Sequence, residues 1–468
     1  MIRAMDGKNW KNEVEMEKMQ PNIVFIIIDA LRARNLSCYG YPMPTSPNID
    51  RLAKEGVLFE KSFSCTNGTD PSLTTIFSGK YPLSHGIVRH GERVENLKNP
   101  LANTSLLPEI LKQEGYYTMA IDWLSRWHRL GYDYYSGMPQ KIDRVSSLKE
   151  RIKPHIFGHP RIYKFAKSLA QKLPAGKPYE DAAVITERAA HLIRDNRARK
   201  FFLFLHYWDT HVPYQPPARY SARFQLEEKD MAHRDVIARY DGSIAYVDHH
   251  INMLMKTIEE EGILDNTLII ITADHGESLT DHEIYFAHHG LYDPTIHVPL
   301  VFWGPSLLPK GRRVHSLVQH FDIFPTLMDL LGVPERGAGC DGKSLLPLIN
   351  GEIEQLHEAV YSIDSQGADG KRAIRTNQYK FTTALSEEAA ICQVCGCMHG
   401  DLEELFNLNE DPGEEMNLLK KRPEIASTLK HALSDWESRV STEREREIVR
   451  SKVKKLLKHK RTSSLEGR

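Results

Sequence analysis

Three short apolar segments constrain the fold of this chain more than any other feature. Residues 22–29 and 268–274 each end on an aspartate, and residues 201–206 end on a histidine. All three are rich in β-branched or aromatic residues and do not alternate with polar ones, which is typical of strands buried on both faces of a parallel sheet. The sequence therefore predicts a sheet whose strands deliver polar side chains at their carboxyl ends.

Helical patterns lie between these strands, at residues 47–54, 105–114 and 239–261. Strands that alternate with helices predict an α/β fold with a mostly parallel sheet flanked by helices, in which ligands bind beyond the carboxyl ends of the strands. After residue 360 the pattern changes to short strand-like pieces without a long apolar run. We expect a small C-terminal antiparallel sheet there.

The chain of 468 residues is too long for one ordinary core. We predict a large α/β domain over residues 20–335, a small α+β subdomain over residues 336–425 and a charged helical tail over residues 426–468. The apolar segments are all shorter than the ~20 residues of a membrane helix. Since residues 1–20 show no signal-peptide pattern, we expect a cytoplasmic protein.

Overall charge argues against nucleic acid as a partner. The 61 basic and 62 acidic residues give a formal net charge of −1, which provides no basic field over the whole molecule. A local basic run at residues 452–461 is the exception. It is either the solvated end of a helix or a contact to an anionic membrane surface.

A metal site is predicted where the buried strands end. Asp29 alone would be an ordinary helix cap, but Asp274 is followed directly by His275 and Gly276, so one turn presents two ligands. A carboxylate oxygen beside an imidazole nitrogen suits zinc, manganese or iron better than calcium. Asp29 and Asp274 therefore point to one common site.

Four separated segments carry a family resemblance. They are residues 22–32, 45–56, 69–82 and 404–418, which in this order resemble the opening strand, the following segment, the nucleophile signature and the C-terminal ending of sulfatases. The resemblance covers roughly residues 20–425. It implies an alkaline-phosphatase-like α/β fold with a small C-terminal sheet domain.

The nucleophile signature departs from that family. Sulfatases begin it with Cys or Ser, which is oxidised to formylglycine, and place Pro two and Arg four residues later. This chain has Thr69, Pro71 and Leu73. Threonine cannot become that aldehyde, and Cys65 lacks the Pro and Arg at the required spacing. Formylglycine is therefore not expected.

Threonine at this position resembles the phosphodiesterases and the phosphoethanolamine and phosphoglycerol transferases of the same superfamily. A hydroxyl beside a divalent cation loses its proton near neutral pH. We therefore expect Thr69 to form a covalent intermediate with a phosphate ester, above all a phosphodiester, in preference to a sulfate ester. Release by water would make the protein a hydrolase and release by an alcohol a transferase. The substrate would be a small-molecule, lipid or glycan ester.

The metal ligands depart from the family as well. Sulfatases pair two aspartates after the first strand and follow the later Asp with Asn, whereas this chain has Ala30 and His275 at those positions. The resemblance implies that Asp29, Thr69, Asp274 and His275 hold one divalent ion. Zinc or manganese is favoured, with calcium or magnesium as alternatives.

Three further histidines are predicted around the ester. His211 matches a family histidine that contacts the ester, and it could protonate the leaving alkoxide or hold the oxygens of the transferred group. His288 fits the position of a family lysine that binds the ester oxygens, and His289 could be the inward residue instead. An alternative is that both histidines, with Asp209 or His211, hold a second metal, as in two-metal phosphodiesterases.

Two weaker signals lie outside this group. Arg126 and His128 resemble a Lys-Trp-His segment that the family places after a strand matched here by residues 115–120, although they lie a few residues late, and we expect them to bind substrate. Cys392, Cys395 and Cys397 bind a structural zinc ion, form a redox pair or are simple loop cysteines.

Two alternative functions stay open. One is a sulfuric ester hydrolase that works without formylglycine. The other is an inactive sulfatase-like protein that binds sulfated or phosphorylated ligands. The intact Asp29, Asp274 and His275 favour an enzyme over the inactive protein.

We predict that Thr69→Ala leaves the fold intact and abolishes turnover, because the substitution removes the only oxygen of the side chain. Steady-state kinetics and circular dichroism of the purified variant check this. Survival of most of the activity would rule out the covalent mechanism.

Overall fold

The computed structural model describes residues 20–91, 104–124, 127–137, 179–224, 233–333, 339–365, 370–392 and 396–463. The strands are β1 (Asn22–Ile28), β2 (Val57–Phe63), β3 (Tyr117–Ile121), β4 (Tyr134–Ser136), β5 (Phe201–Tyr207), β6 (Thr267–Thr272), β7 (Leu300–Trp303), β8 (Arg312–Gln319), β9 (Ala359–Ile363), β10 (Arg372–Thr376), β11 (Tyr379–Thr383) and β12 (Glu403–Asn407). The α-helices are α1 (Pro47–Glu55), α2 (Thr69–Ser78), α3 (Pro82–His85), α4 (Leu107–Gln113), α5 (Ala182–Asn196), α6 (Ala218–Ser221), α7 (Arg234–Glu260), α8 (Asp293–Ile296), α9 (Ile323–Leu330), α10 (Leu346–Ile349), α11 (Glu387–Ala390) and α12 (Pro423–Ser463).

The large sheet has the strand order β4-β3-β5-β1-β6-β7-β2-β8 within the described residues. Strand β1 lies at its centre and pairs in parallel with β5 on one side and β6 on the other. Strand β7 runs antiparallel to both of its neighbours. The predicted fold class, a mostly parallel sheet flanked by helices, is confirmed.

Strand β1 shows why the central strands are apolar throughout. All seven of its residues are buried. Because successive side chains of a strand point to opposite faces, Val24 and Ile26 enter a core beneath α1 and α7, whereas Ile23 and Phe25 enter a second core beneath α2, α4 and α9. Both faces of the sheet are therefore covered. Because β5, β1 and β6 run parallel, their carboxyl ends lie side by side at one edge of the sheet.

The small sheet is antiparallel, with the order β12-β11-β10-β9, as predicted. A bridge from Thr66 to Ile363 joins it to the segment between β2 and α2. Helix α12 packs on this sheet through Trp436, which stacks on Tyr361 with ring centroids 4.6 Å apart and lies 5.0 Å from Tyr81. The first part of the predicted tail is thus part of a hydrophobic core.

In the part of the chain that the structure describes, every helix is too short or too polar to cross a membrane. The side chains of the basic run at residues 452–461 lie outside the described residues. The membrane contact and the cytoplasmic location stay predictions from the sequence.

We expect Trp436→Ala to lower the free energy of unfolding by about 3–5 kcal/mol, because it removes a buried aromatic ring between α12 and the small sheet. Denaturant-induced unfolding followed by fluorescence or circular dichroism measures this. Trp436→Phe is the matched control and should lose less, since a ring is kept against Tyr361. A loss below about 1 kcal/mol for the alanine variant would show that α12 does not contribute to the core.

Candidate active site

The carboxyl ends of β1, β5 and β6 bring together three buried side chains: Asp29, His206 and Asp274. Their ligand atoms all lie within 4.8 Å of one another. His206 Nε2 is 3.5 Å from Asp29 Oδ2. Asp29 and Asp274 were predicted to share one site, and the structure adds His206 to them.

The two carboxylates have oxygen atoms that no described residue satisfies. Asp274 Oδ1 accepts hydrogen bonds from the backbone N–H groups of Ala30 (3.1 Å) and His275 (2.9 Å). Asp274 Oδ2 and both carboxylate oxygens of Asp29 are buried without a hydrogen-bond partner among the described residues. Because buried polar atoms are normally paired, these unsatisfied oxygens fit a bound cation.

The pKa shifts of the two carboxyl groups are consistent with a cation site. Burial and the negative charge of Asp29 raise the pKa of Asp274. Burial also acts to raise the pKa of Asp29, but the imidazole of His206 and the positive charges of His211 and His275 outweigh it and hold that pKa below its usual value. Two carboxylates therefore face each other without an ionised lysine or arginine in contact with either, among the described residues.

Asp122 orients His206. It follows β3 directly, and its Oδ1 lies 2.8 Å from His206 Nδ1, which leaves Nε2 directed toward Asp29. Burial lowers the pKa of His206, but Asp122 and Asp29 together raise it to about 10. Metal-binding histidines commonly donate their second ring N–H to a carboxylate, so this pair is arranged as a metal ligand and its support.

Thr69 lies beside this cluster at the first position of α2. It is 4% exposed, and its Oγ1 is 3.3 Å from His275 Nε2. The other ring nitrogen of His275 lies 2.8 Å from the carbonyl oxygen of Gly276, so Nδ1 carries the proton and Nε2 is an acceptor in the neutral ring. The same Nε2 is 3.3 Å from Asp274 Oδ2. The four predicted ligands therefore face one region.

The predicted histidines surround the same region. The His288 ring centroid is 4.4 Å from that of His275 and 5.7 Å from that of His211, and His289 stacks 5.7 Å from His288. Burial and the charges of the neighbouring histidines hold the pKa of His288 well below its usual value. His288 is therefore a neutral hydrogen-bonding group near pH 7.

Some predicted residues do not join the site in the described structure. Among the described residues, Asp29, His206 and Asp274 form the one cluster of three close ligands, so the suggested second metal site is not assembled. Arg126, the side chain of His128 and Cys395 lie outside the described residues. The backbone N–H of Cys392 donates to the carbonyl oxygen of Cys397 at 2.8 Å.

Sequence reasoning missed the roles of His206 and Asp122. The signal was present for both. His206 is the second-last residue of β5, and Asp122 follows β3 directly, just as Asp29 follows β1. A polar residue at the end of a buried parallel strand is thus a candidate ligand even without a motif around it.

The chain matches the sulfatase family model over residues 21–333 and the C-terminal model of N-sulphoglucosamine sulphohydrolase over residues 281–439. It is 24% identical to N-acetylgalactosamine-6-sulfatase of Canis lupus familiaris, over 85% of this chain and 81% of that protein. It is 26% identical to an arylsulfatase of Clostridium perfringens, over 86% and 90%. The solved phosphonate monoester hydrolase of Agrobacterium radiobacter is similar in fold, with a TM-score of 0.67 and 21% identity over 90% and 96% of the two chains.

The chain belongs to the sulfatase family. It is an ester hydrolase of the sulfatase type, and its family is generally metal-dependent.

We expect Asp122→Asn to weaken the binding of Zn²⁺ or Mn²⁺ by about 10- to 100-fold, because the amide no longer fixes the ring of His206 as a carboxylate does. His206→Ala should weaken binding further, since it removes a ligand. Isothermal titration calorimetry with each metal measures both. His249→Ala, at an exposed position of α7, is the control. Unchanged affinity in the His206 variant would exclude it from the metal site.

Proposed function

We propose that this protein is a metal-dependent hydrolase that cleaves phosphate esters, above all phosphodiesters, through a covalent Thr69 intermediate. The observation that carries the proposal is the group of unsatisfied oxygens of Asp29 and Asp274 beside the Thr69 hydroxyl. An arrangement of this kind suits a cation next to a nucleophile.

Asp29, His206, Asp274 and His275 would hold the ion. Two carboxylates with two imidazoles favour zinc or manganese over calcium. When bound, the ion supplies positive charge that lowers the pKa of the Thr69 hydroxyl and offsets the negative charge of the transferred group. The N-terminus of α2, where Thr69 lies, adds a favourable field for an anion.

The chain's own residues account for the remaining steps. Thr69, ionised to its alkoxide before the step with its proton lost to solvent, forms a bond from Oγ to phosphorus while the bond from phosphorus to the alcohol oxygen breaks. His211, in its protonated form, gives a proton to that oxygen, and the neutral ring of His288 holds an oxygen of the transferred group through a hydrogen bond. Water then attacks phosphorus, returns a proton to His211 and releases Thr69.

His211 has suitable geometry for this role. Its Nδ1 lies 2.8 Å from the carbonyl oxygen of Val212, which leaves Nε2 for the substrate. The tilted contacts of its ring with Trp208 and His288, at centroid distances of 5.7 Å each, fix its plane.

The preference for phosphate rests on the nucleophile. Thr69 cannot supply the aldehyde hydrate that sulfatases use, and Leu73 occupies the place of their signature arginine. The sulfatase names of the relatives favour a second candidate, a sulfuric ester hydrolase without formylglycine. Both candidates use the same residues and differ in the substrate.

We expect the zinc- or manganese-loaded protein to turn over a nitrophenyl phosphodiester faster than the matched phosphomonoester and sulfate. Initial rates on the three substrates, with chelator-treated protein as control, measure the preference. Dominant sulfate turnover would instead establish the second candidate. No turnover of any of the three by protein with a full metal complement would contradict both.

A further inference from the structure

Residues 288–295 form a segment that carries His288 and His289. Tyr292 attaches this segment to the small C-terminal sheet. The Tyr292 hydroxyl donates a hydrogen bond of 2.8 Å to Glu404 Oε2 on β12. Its ring stacks on His282, with centroids 3.6 Å apart and planes within 9°. Tyr292 also packs with Phe406 of β12 in a small hydrophobic cluster.

A buried ion network attaches the next residue, Asp293. Its carboxylate contacts Arg375 of β10 at 3.2 Å and Lys380 of β11 at 3.0 Å. Lys380 also contacts Glu414 at 2.6 Å, and both of these side chains are fully buried. Glu414 accepts the backbone N–H of Asp293 at 2.6 Å. The network thus joins two basic side chains, Arg375 and Lys380, to two acidic ones, Asp293 and Glu414.

The other side of the segment is bonded to the active-site turn. The backbone N–H of Gly276 donates to the carbonyl oxygen of Thr295 (2.8 Å), and that of Glu277 donates to the carbonyl oxygen of Pro294 (3.0 Å). The approach is close enough to require glycine, because a Cβ at Gly276 would lie 2.1 Å from the Pro294 carbonyl oxygen. Asn67 Nδ2 also donates to the carbonyl oxygen of Gly290 at 3.0 Å. The segment therefore lies between the small sheet and the site.

The ring of His288 depends on this backbone for its position. His288 Nδ1 is buried without a hydrogen-bond partner among the described residues, and the nearest carboxylate oxygen that contacts it, Glu277 Oε1, is 4.0 Å away. Its ring contacts His275 and His211 by packing alone. No hydrogen bond to a described side chain holds the ring, so a shift of the segment would move it.

We propose that Tyr292 and Asp293 are positioning residues, through which the small antiparallel sheet holds His288 in place for catalysis. Breaking one member of a buried ion network leaves an uncompensated charge, so the network resists displacement and fixes one geometry. The inference rests on the proposed function, because it assigns His288 to the transferred group. It adds that the C-terminal sheet is required for the chemistry and not only for stability.

The test is Tyr292→Phe, which removes the bond to Glu404 and keeps the ring stacked on His282. We expect kcat on the preferred nitrophenyl ester to fall by about 10- to 100-fold with KM and metal content nearly unchanged. Tyr379→Phe, in β11 of the same sheet, is the matched control and should keep the wild-type kcat.

A double-mutant cycle with His288→Ala separates positioning from general damage. If Tyr292 acts through His288, the double variant will be no slower than His288→Ala alone, whereas independent effects would multiply. Multiplied effects, or an unchanged kcat in Tyr292→Phe, would overturn the proposal. The same double-mutant cycle can be measured with Asp293→Asn in place of Tyr292→Phe.

Amide hydrogen exchange distinguishes failure of this inference from failure of the proposed function. Residues 284–293 should exchange faster in Tyr292→Phe than in the wild type or in Tyr379→Phe, whether or not the substrate has been identified. Unchanged exchange would show that the small sheet does not hold the segment. Wild-type protein without turnover would contradict the proposed function, while faster exchange would still support the attachment.

Discussion

The structure of the site depends on two carboxylates, Asp29 and Asp274, that are buried side by side at the end of an apolar sheet. Burying two like charges is unfavourable unless a positive group compensates them. The protein supplies backbone N–H groups to one oxygen of Asp274 and an imidazole, His206, near Asp29, and it leaves the remaining oxygens unsatisfied. The surrounding residues therefore offer ligand atoms to a cation, which explains why polar groups converge on this edge of the sheet.

The site residues of this chain differ from the sulfatase pattern at several positions. Where the resemblance to sulfatases leads one to expect an aldehyde precursor, a signature arginine, a second aspartate and an asparagine, this chain has Thr69, Leu73, Ala30 and His275. An imidazole, His275, stands in place of the asparagine, and His288 stands in place of a family lysine; burial and the neighbouring histidines hold the pKa of His288 well below its usual value. A site built in this way suits a transition metal and a hydroxyl nucleophile better than calcium and formylglycine.

The small C-terminal sheet is connected to this chemistry by charge and not only by packing. The Lys380 contact to Asp293 spans 87 positions of the sequence, and the Glu414 contact to the same residue spans 121. Because Lys380 and Glu414 are fully buried, the network specifies one arrangement of the two sheets, even where its net contribution to stability is small. The position of the segment that carries His288 thus depends on residues far from it in the sequence.

The sequence by itself determined the parallel sheet, the small antiparallel sheet and the strand ends that carry Asp29 and Asp274, because local apolar patterns encode burial and period. It also located Thr69 through its motif. Only the tertiary structure joined His206 and Asp122 to the site and linked Asp293 to the small sheet. The physical reason is that strand order places β3 and β5 beside β1, and no local pattern records which strand ends will become neighbours or which buried charges will pair.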